Sequence, residues 1–540
     1  MARIIIDGKP VECSEGTPVL KVAIDAGFNV PFYCYHPALS IVASCRLCLM
    51  EMKTKDPKTG QMHWTPRLQP SCQTPAKDGM EVRFDSPNVR QNQRAVMEDY
   101  LLNHPLDCPV CDQAGECWLQ DYSFKYGNAR SRMTEPKTTN PKKSVGSKTL
   151  LYQDRCVLCS RCVRFCREIA GTAELCVIRR SAYAEIDAFP GMPLENKLQG
   201  NVVDLCPVGA LLDKDFLFKQ RVWYLRAGKS VCPNCSTGCT VKLDYNAGRV
   251  WRMRPRYNPK VNTWFICDEG RFGWKYIHSN QRIIAPAVRS GAGRQRVTWE
   301  DAFAAVRRLL ETARHKGARS TAVVLSPMMN CEEAWLLVRI VRAAVPQAEL
   351  VLGPVPSGPA DELFPVTVKD QAKAKFIIRA EKCPNRRGVE AVMKAAGAPQ
   401  TKLEDFIKGA AHGRYSLAWI VGGYPHEWVS NELAAAVSKV EHTIVQDIFP
   451  SALAQGAEVL LPACAFAERE GTFINHAGVV QPFDAVLPPP VGCQHDGQYL
   501  YRLAGLEGLY RGAKVREQMA GQVPEMKEVY EPPAESRSMH

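Results

Sequence analysis

Cysteine placement is the strongest constraint on what this 540-residue chain can fold into. The chain contains 22 cysteines, and 18 of them lie before residue 268. Disulfide scaffolds are short and secreted, whereas this chain is long and opens without a signal-peptide or transit-peptide pattern. We therefore interpret the clustered cysteines as metal ligands in a reducing compartment. They form four sets with different spacings.

The first set has the spacing C-x10-C-x2-C-x23-C. Its close pair and distant fourth cysteine match plant-type ferredoxins, although the first gap is longer, and this predicts a 2Fe–2S cluster. A zinc ribbon is the alternative, but its ligands normally come as two close pairs. The predicted ligands are Cys34, Cys45, Cys48 and Cys72.

The second set lies in NHPLDCPVCDQAGECW, where three cysteines leave a four-ligand site one donor short. The nearest upstream donor is a histidine, which gives H-x3-C-x2-C-x5-C and predicts a 4Fe–4S cluster. Three cysteines and one histidine can also hold zinc, so the spacing alone leaves that alternative open. The predicted ligands are His104, Cys108, Cys111 and Cys117.

The third set combines C-x2-C-x2-C with a remote Cys-Pro, as in bacterial-type ferredoxins that carry 4Fe–4S clusters. Its predicted ligands are Cys156, Cys159, Cys162 and Cys206. Cys166 and Cys176 lie nearby without a second triplet, so we interpret them as packed thiols. Arg155, Arg161 and Arg164 are interleaved with the ligands, and their charge is expected to favour reduction.

The fourth set has the spacing C-x2-C-x3-C-x27-C, which suits either a cubane cluster or a structural zinc ion. We favour a third 4Fe–4S cluster because the same chain already carries others. The predicted ligands are Cys232, Cys235, Cys239 and Cys267. Four later cysteines do not form a metal-binding spacing and are interpreted as buried or incidental thiols: Cys331, Cys383, Cys464 and Cys493.

Composition argues against a membrane span and against nucleic-acid binding. No apolar run approaches the roughly 18 residues that would suggest a transmembrane helix. The formal net charge of +13 counts every cysteine as a neutral thiol. Four thiolate-ligated clusters would remove roughly seven of those charges if each oxidised core carries about two positive charges. The cluster-loaded protein is then only mildly basic.

Sequence patterns predict several secondary-structure elements and a change in the kind of fold along the chain. Asp7-Gly8 signals a hairpin, and a short helix follows, which together suit a β-grasp domain. Residues 125–150 are basic and are interpreted as a solvated connector, with a docking segment as the alternative. An open α/β region is predicted from about residue 296. The predicted helices are 19–26, 88–103 and the segment TWEDAFAAVRRLLETA, and the predicted strands are 321–326, 416–423 and 442–448.

Taken in order, the cysteine motifs carry a family resemblance. The segments PFYCYHPALSIVASCRLCLME, SCQTPAKDGMEV, HPLDCPVCDQAGECWLQD, RCVLCSRCVRFCREIAG and NVVDLCPVGAL resemble the large iron–sulfur subunit (the G subunit) of respiratory complex I, NADH:quinone oxidoreductase. Residues 384–390 and 460–481 resemble the molybdopterin-oxidoreductase-like domain of the same protein.

The resemblance implies a multidomain α+β and α/β protein. It comprises a β-grasp 2Fe–2S ferredoxin domain, a cubane-cluster ferredoxin-like domain and an abridged molybdopterin-oxidoreductase-like α/β domain. The expected divisions are a 2Fe–2S domain (1–84), a His/Cys3 4Fe–4S domain with the basic connector (85–150), a 4Fe–4S ferredoxin-like domain (151–228), a 4Fe–4S domain of molybdopterin-oxidoreductase type (229–285), the truncated α/β domain (286–525) and a disordered tail (526–540).

The resemblance also implies an electron relay without a catalytic residue or substrate site of its own. Electrons would arrive from the NADH-oxidising flavoprotein subunit and leave toward a two-cubane ferredoxin-like subunit and quinone. The fourth cluster would lie off this path, and no molybdenum or pterin is expected. The expected location is the peripheral arm, on the cytoplasmic side of the bacterial inner membrane.

Three other protein classes share parts of this pattern. The main alternative is the alpha subunit of an NAD-linked molybdenum formate dehydrogenase, which needs a molybdenum-ligating residue and a longer pterin domain. Cys331 sits at a predicted helix start without the flanking pattern of such a site. A subunit of an NAD-reducing hydrogenase lacks support because no further cysteine block follows. A zinc-rich nucleic-acid-binding protein conflicts with the Cys156 triplet.

Overall fold

A computed structural model describes residues 1–55, 59–181, 183–291, 293–316 and 320–533. The chain divides into two units. The first comprises Met1–Leu225 with Leu363–Phe376, and the second comprises Arg226–Glu362 with Ile377–Pro533. Within the described residues, none of the helices combines the length and apolarity needed to span a bilayer.

The elements up to residue 225 are short, and loops that carry cysteines separate many of them. They are β1 (Ala2–Ile6), β2 (Lys9–Cys13), α1 (Val19–Asp25), β3 (Leu49–Lys55), β4 (Met62–Trp64), β5 (Gln69–Pro70), β6 (Glu81–Arg83), α2 (Pro87–Leu101), α3 (Trp118–Tyr126), β7 (Lys143–Ser144), β8 (Thr149–Leu151), α4 (Arg161–Phe165), β9 (Leu175–Ile178), β10 (Glu185–Ala188), α5 (Asn201–Leu205) and β11 (Leu211–Asp213).

A six-stranded sheet in the order β2-β1-β6-β3-β4, with β5 paired to β3, builds the amino-terminal domain. The predicted hairpin joins β1 to β2, and its turn residues Asp7 and Gly8 have φ values of 46° and 80°. Helix α1 buries Val19, Leu20 and Ala23 with the sheet's core. This is the β-grasp arrangement that the sequence predicts.

Helix α2 confirms the helix predicted at 88–103, with bounds shifted by one or two residues. Its start is fixed by Ser86, whose hydroxyl accepts a hydrogen bond from the Val89 amide at 3.2 Å, and by Pro87 in the first turn. The rest of the unit contains the antiparallel sheet β11-β8-β7 and the hairpin β9-β10. Of the third cysteine set, Cys162 lies in the short helix α4, Cys156 and Cys159 precede that helix, and Cys206 follows the short helix α5.

The elements after residue 225 are β12 (Arg226–Val231), β13 (Thr240–Asn246), β14 (Arg249–Pro255), α6 (Asp268–Phe272), β15 (Ala287–Ser290), β16 (Gly293–Arg296), α7 (Trp299–His315), β17 (Thr321–Leu325), α8 (Cys331–Ala344), β18 (Glu349–Leu352), β19 (Glu362–Phe364), β20 (Phe376–Ile378), α9 (Arg386–Ala395), β21 (Gln400–Thr401), α10 (Leu403–Ala411), β22 (Leu417–Val421), α11 (Asn431–Val437), β23 (His442–Asp447), α12 (Ala452–Gly456), β24 (Val459–Pro462), β25 (Gly471–Ile474), β26 (Val480–Phe483), α13 (Asp496–Leu503) and α14 (Gly512–Met519).

An eight-stranded sheet in the order β16-β15-β24-β23-β22-β17-β18-β21 forms the centre of the second unit. The six strands from β24 to β21 pair in parallel. Every residue of β17 and β22 is buried, which explains why these strands read as continuous apolar runs. The predicted strands are confirmed as β17, β22 and β23, and the α/β class is confirmed with them.

Helix α7 confirms the predicted amphipathic helix. Thr298 caps it, because its hydroxyl accepts a hydrogen bond from the Asp301 amide at 3.2 Å. Phe303, Val306 and Leu310 recur on one face and are buried. That face packs into the main core of the unit.

The start of the predicted tail is structured, which corrects part of the sequence prediction. Met526 is buried, Val529 forms a β-bridge with Val480, and the Tyr530 amide donates to the Val480 carbonyl at 2.9 Å. Three hydrophobic residues within a polar stretch are enough to attach residues 526–533 to the domain. The remainder of the predicted tail, 534–540, lies outside the described residues.

Candidate metal-cluster sites

The first cysteine set is a group of thiols in mutual contact. Cys34, Cys45, Cys48 and Cys72 are all at most 2% exposed. Hydrogen bonds from Cys45 and Cys72 lower the pKa of Cys34, and a hydrogen bond from Cys72 lowers that of Cys48. The same contacts, with burial, raise the pKa of Cys45 and Cys72. These mutual hydrogen bonds show that the four sulfurs lie close enough to share one site, in which the thiolate is the metal-ligating form.

The loop between α1 and β3 delivers three of these sulfurs. Ala43 and Arg46 adopt left-handed φ values of 50° and 55°, and these turns fold the loop tightly around Cys45 and Cys48. The amide of Tyr33 points to the Cys45 sulfur at 3.4 Å. The fourth sulfur, on Cys72, follows β5. Such backbone N–H groups are the usual donors to cluster sulfurs.

The third set lines one enclosed, largely apolar cavity. Leu151, Ile186, Val208 and Leu211 contribute its apolar walls, and the thiols are those of Cys156, Cys159, Cys162 and Cys206. Burial raises the pKa of each thiol, to about 11 for Cys159. Four thiols in an apolar cavity suit a cation core that would compensate their charge once they are deprotonated.

Cys166 and Cys176 stand apart from that cavity. Cys166 is buried in a π-helical turn and does not line the cavity. Cys176 directs its sulfur at the Asp187 carbonyl oxygen, 3.7 Å away. Both environments agree with the interpretation of these residues as packed thiols.

The second set is built on a loop that leads into α3. Cys111 and Cys117 are buried, whereas Cys108 is exposed. Cys111 interacts electrostatically with Cys108, and Cys117 with Cys111. Gly209 comes so close to Cys111 that a Cβ added there would overlap its sulfur. The three cysteines therefore lie together, one of them at the protein surface.

His104 is suited in its protonation state to join this set. Burial, with the nearby charges of Arg155 and Lys137, lowers its pKa to about 4. The imidazole is therefore neutral near pH 7, as a metal ligand must be. The charge of Arg155 also opposes the rise in the pKa of Cys111 that burial causes. The contacts of the described residues do not join His104 directly to a cysteine, so its role as the fourth ligand stays a prediction.

The fourth set lies in the second unit, between β12 and α6. Cys232, Cys235, Cys239 and Cys267 are each at most 5% exposed. The Cys232 amide donates to the Cys239 carbonyl at 2.8 Å, which closes the loop. The Cys267 sulfur accepts from the Gly270 amide at 3.3 Å. Burial raises the pKa of Cys232, Cys239 and Cys267.

In the part of the chain that the structure describes, no three or more His, Cys, Asp or Glu side chains gather as the site of a single metal ion.

The four later cysteines each have a local hydrogen-bonding partner. Cys331 contacts the Asn385 amide oxygen at 3.6 Å, Cys464 the Gln494 carbonyl at 3.3 Å and Cys493 the Ile283 carbonyl at 3.6 Å. Cys383 contacts the Glu381 carboxylate at 3.8 Å. These environments fit packed thiols better than ligands.

Aromatic residues between the sets are not predicted from spacing. Tyr100 interacts electrostatically with Cys45 and Cys159, which belong to different sets, and its hydroxyl donates to the Cys45 carbonyl at 3.3 Å. Trp118 directly follows Cys117 and packs edge-on against Phe32 with ring centroids 5.2 Å apart. Their proximity to ligands in sequence is the only signal that could have singled them out.

Five family models match this chain. They describe a 2Fe–2S iron–sulfur cluster binding domain (1–87), an NADH-ubiquinone oxidoreductase-G iron–sulfur binding region (93–132), an NADH-quinone oxidoreductase subunit 3 ferredoxin-like domain (146–212), a molybdopterin oxidoreductase Fe4S4 domain (225–279) and molybdopterin oxidoreductase (382–505). Each of the four cysteine sets falls within the range of one cluster-binding model.

Curated relatives carry complex I names. The chain is 39% identical over 304 residues to NADH dehydrogenase (ubiquinone) iron–sulfur protein 1 of Solanum tuberosum, covering 56% of this chain and 40% of the relative. It is 37% identical over 309 residues to the NADH-quinone oxidoreductase G subunit of Rickettsia bellii, covering 57% and 43%. The chain is also 36% identical over 303 residues to the NADH-ubiquinone oxidoreductase 75 kDa subunit of Reclinomonas americana. That match covers 56% of this chain and 42% of the relative.

The chain spans less than half the length of these relatives. A chain of an NAD+-reducing NiFe hydrogenase matches at a TM-score of 0.35, too low to carry an argument about fold. The relatives and the ordered family models agree with each other along the iron–sulfur part of the chain. Along its iron–sulfur part the chain is similar to the large iron–sulfur subunits of NADH-quinone oxidoreductase, the G or 75 kDa subunits.

Proposed function

We propose that this chain relays single electrons through a 2Fe–2S cluster and two 4Fe–4S clusters within NADH:quinone oxidoreductase. The observation that carries the proposal is the adjacency of three cysteine sets in one unit. Tyr100 is the common neighbour of Cys45 and Cys159, and Cys117 interacts electrostatically with Cys206. A relay needs redox centres that follow one another closely, and iron–sulfur clusters exchange single electrons.

The proposed order is the Cys34 set, the Cys156 set and the His104 set. The Cys156 set is placed in the middle because it adjoins both others. Tyr33 is also a common neighbour of Cys45 and Cys117, so the exit is assigned from the exposure of Cys108. Electrons would enter from the flavoprotein subunit that oxidises NADH. They would leave toward the two-cubane ferredoxin-like subunit and then quinone.

The surface around Cys108 supports the His104 set as the exit. Cys108 is exposed, and Leu106 and Val110 beside it are 91% and 55% exposed. Trp223 and Tyr224 are 58% and 61% exposed, and Trp223 packs near Gly115 of the same loop. Exposed aromatic and aliphatic side chains next to a cluster are suited to docking a partner subunit.

We propose that the Cys232 set holds a third 4Fe–4S cluster off the main path. It lies in the second unit, and the Lys382 ammonium interacts with Cys235 and Cys267 there. We retain the domain divisions expected from the sequence, except that 526–533 attach to the preceding domain. The proposed location is the peripheral arm, on the cytoplasmic side of the bacterial inner membrane.

The formate dehydrogenase alternative is not favoured. The curated relatives are complex I subunits. Cys331, which lies at the start of α8, is fully buried and hydrogen-bonded to Asn385. Elemental analysis distinguishes the two proteins, because only the formate dehydrogenase requires molybdenum.

The proposal is tested by anaerobic purification with iron, sulfide, zinc and molybdenum analysis and EPR of the reduced protein. Four filled sites predict about 14 iron and about 14 sulfide per chain, and an empty Cys232 set predicts about 10 of each. Cys48→Ser, Cys159→Ser and Cys111→Ser should each remove one EPR signal. The control variant Cys166→Ser should retain all of them. Zinc without sulfide would overturn the proposal.

A further inference from the structure

Two buried arginines lie between the first and third cysteine sets. Arg161 and Arg164 are one turn apart on α4 and are only 1% and 2% exposed. Arg164 donates to the carbonyl oxygen of Cys34 at 2.5 Å and to that of Cys159 at 3.1 Å. One guanidinium therefore joins the backbone of a ligand from each set.

Arg161 makes the corresponding contacts one residue away from the ligands. It donates to the Tyr35 carbonyl at 2.5 Å and to the Leu205 carbonyl at 3.3 Å. These residues neighbour Cys34 and Cys206 in sequence. Its guanidinium also lies over the Trp118 ring, 4.7 Å from the centroid. Arg161 thus contacts loops from all three sets in this unit.

The charge compensation of these two arginines differs from that of the neighbouring Arg155. Across the described residues, no carboxylate forms an ion pair with Arg161 or Arg164, whereas the neighbouring Arg155 pairs with Asp107 at 2.6 Å. The Nε atom of Arg161 is buried without a hydrogen bond. A buried charge is costly unless it is compensated. The nearby groups that can become anionic are the Cys159 and Cys34 thiols and the Tyr122 hydroxyl, and of these the thiols are the ones that ionise as cluster ligands.

We propose that Arg161 and Arg164 are positioning residues that hold the Cys34 and Cys156 loops together and raise the reduction potentials of both clusters. This inference rests on the proposed function. Four thiolates outweigh an oxidised core of about two positive charges, so each cluster is a net anion. Reduction adds one electron to it, and a buried cation between the clusters stabilises the added charge on either one.

A shared cation has a specific consequence for the relay. Because it acts on both clusters, it raises both potentials without opening a large gap between them. An electron can then pass from one cluster to the next near equal energy. The carbonyl bonds of Arg164 fix the spacing of the two loops at the same time.

The test is an EPR-monitored redox titration of the full-length, cluster-loaded chain. Arg161→Gln and Arg164→Gln should each lower the equilibrium constant for reduction of both clusters about tenfold. For a one-electron couple this is a fall of about 59 mV in the reduction potential. Arg161→Lys keeps the charge and should recover most of the shift. Arg132→Gln is the matched control, because Arg132 is 82% exposed and pairs with Glu98. It should leave both potentials unchanged.

Each outcome is decisive. Unchanged potentials in cluster-loaded Arg161→Gln and Arg164→Gln, or a shift confined to one cluster, would overturn the inference. If the glutamine variants fail to load iron, the reduction potentials of the Arg161→Lys variant are measured instead. Wild-type potentials in that variant support the charge role, and failed loading or lowered potentials oppose it. A wild-type protein without iron and sulfide would instead refute the proposed function, before any variant is compared.

Discussion

The backbone N–H of Trp118 donates a hydrogen bond to the Pro207 carbonyl oxygen at 3.0 Å. Trp118 follows Cys117 and Pro207 follows Cys206, so this bond joins the loops of the second and third cysteine sets. Gly209 continues the same loop against the Cys111 sulfur. The loops of the two sets are therefore joined by a backbone hydrogen bond and by the close approach of Gly209 to the Cys111 sulfur.

Gly209→Ala should disrupt the second cluster selectively. The added methyl group would overlap the Cys111 sulfur and crowd Gln113, and overpacking of this kind costs about 1–3 kcal/mol. We expect loss or distortion of one 4Fe–4S EPR signal with the 2Fe–2S signal retained. Gly521→Ala is the control, because no atom lies within 4 Å of its added Cβ. An unaltered spectrum in Gly209→Ala would contradict the close approach.

His104→Cys should keep a cluster and lower its reduction potential. Replacing the neutral imidazole by a thiolate adds one negative charge, and the His-ligated Rieske centres show the opposite change raising the potential. The measurement is a redox titration followed by EPR, with the Cys34 cluster of the same sample as internal reference. Identical potentials in the variant and the wild type would mean that His104 is not a ligand.

His495 should make the stability of the second unit depend on pH. Its ring nitrogens face the backbone N–H groups of Gly497 and Glu470, at 3.2 Å each. The neutral imidazole accepts a hydrogen bond from one of them, and a second ring proton would remove that bond. Burial, followed by the charge of Arg469, lowers the pKa of His495 to about 4. The unfolded chain, with a histidine pKa near 6.5, then binds the proton first.

Stability is therefore expected to fall as the pH is lowered from about 6.5 to about 4. Urea midpoints measured by tryptophan fluorescence at pH 7 and pH 5 give the difference. His495→Gln should reduce it, whereas His315→Gln, at the exposed end of α7, should behave as the wild type. Equal pH dependence in all three proteins would exclude this role for His495.

Arg282→Met should destabilise the second unit strongly. Arg282 and Glu468 form a two-bond ion pair, one bond at 2.7 Å, with both side chains at most 3% exposed. Removing one partner leaves a buried charge uncompensated, which costs about 3–5 kcal/mol. The lost free energy of unfolding is measured by urea denaturation. Lys316→Met breaks an exposed ion pair with Glu441 and should change the midpoint little. Comparable losses in both variants would contradict the expected effect of burial.

Local patterns in the sequence determined much of the fold. The Asp7-Gly8 turn, the Ser86 and Thr298 caps and the apolar runs of β17 and β22 each depend on neighbours along the chain. Cysteine spacing likewise grouped the ligand candidates, because ligands on one loop must be close in sequence. Met526, Val529 and Tyr530 were misjudged because the packing partner of this segment, Val480, lies far away in the chain.

Relations between the cysteine sets were decided only by the tertiary structure. Spacing indicates which cysteines share a site, but it carries no information on which sites are neighbours. In the sequence, Arg161 and Arg164 lie beside ligands of the third set. In the fold, they donate hydrogen bonds to the backbone carbonyls of Tyr35 and of Cys34, which is a ligand of the first set. These contacts join residues more than 120 positions apart. Their geometry exists only once the β-grasp loop and helix α4 have packed together.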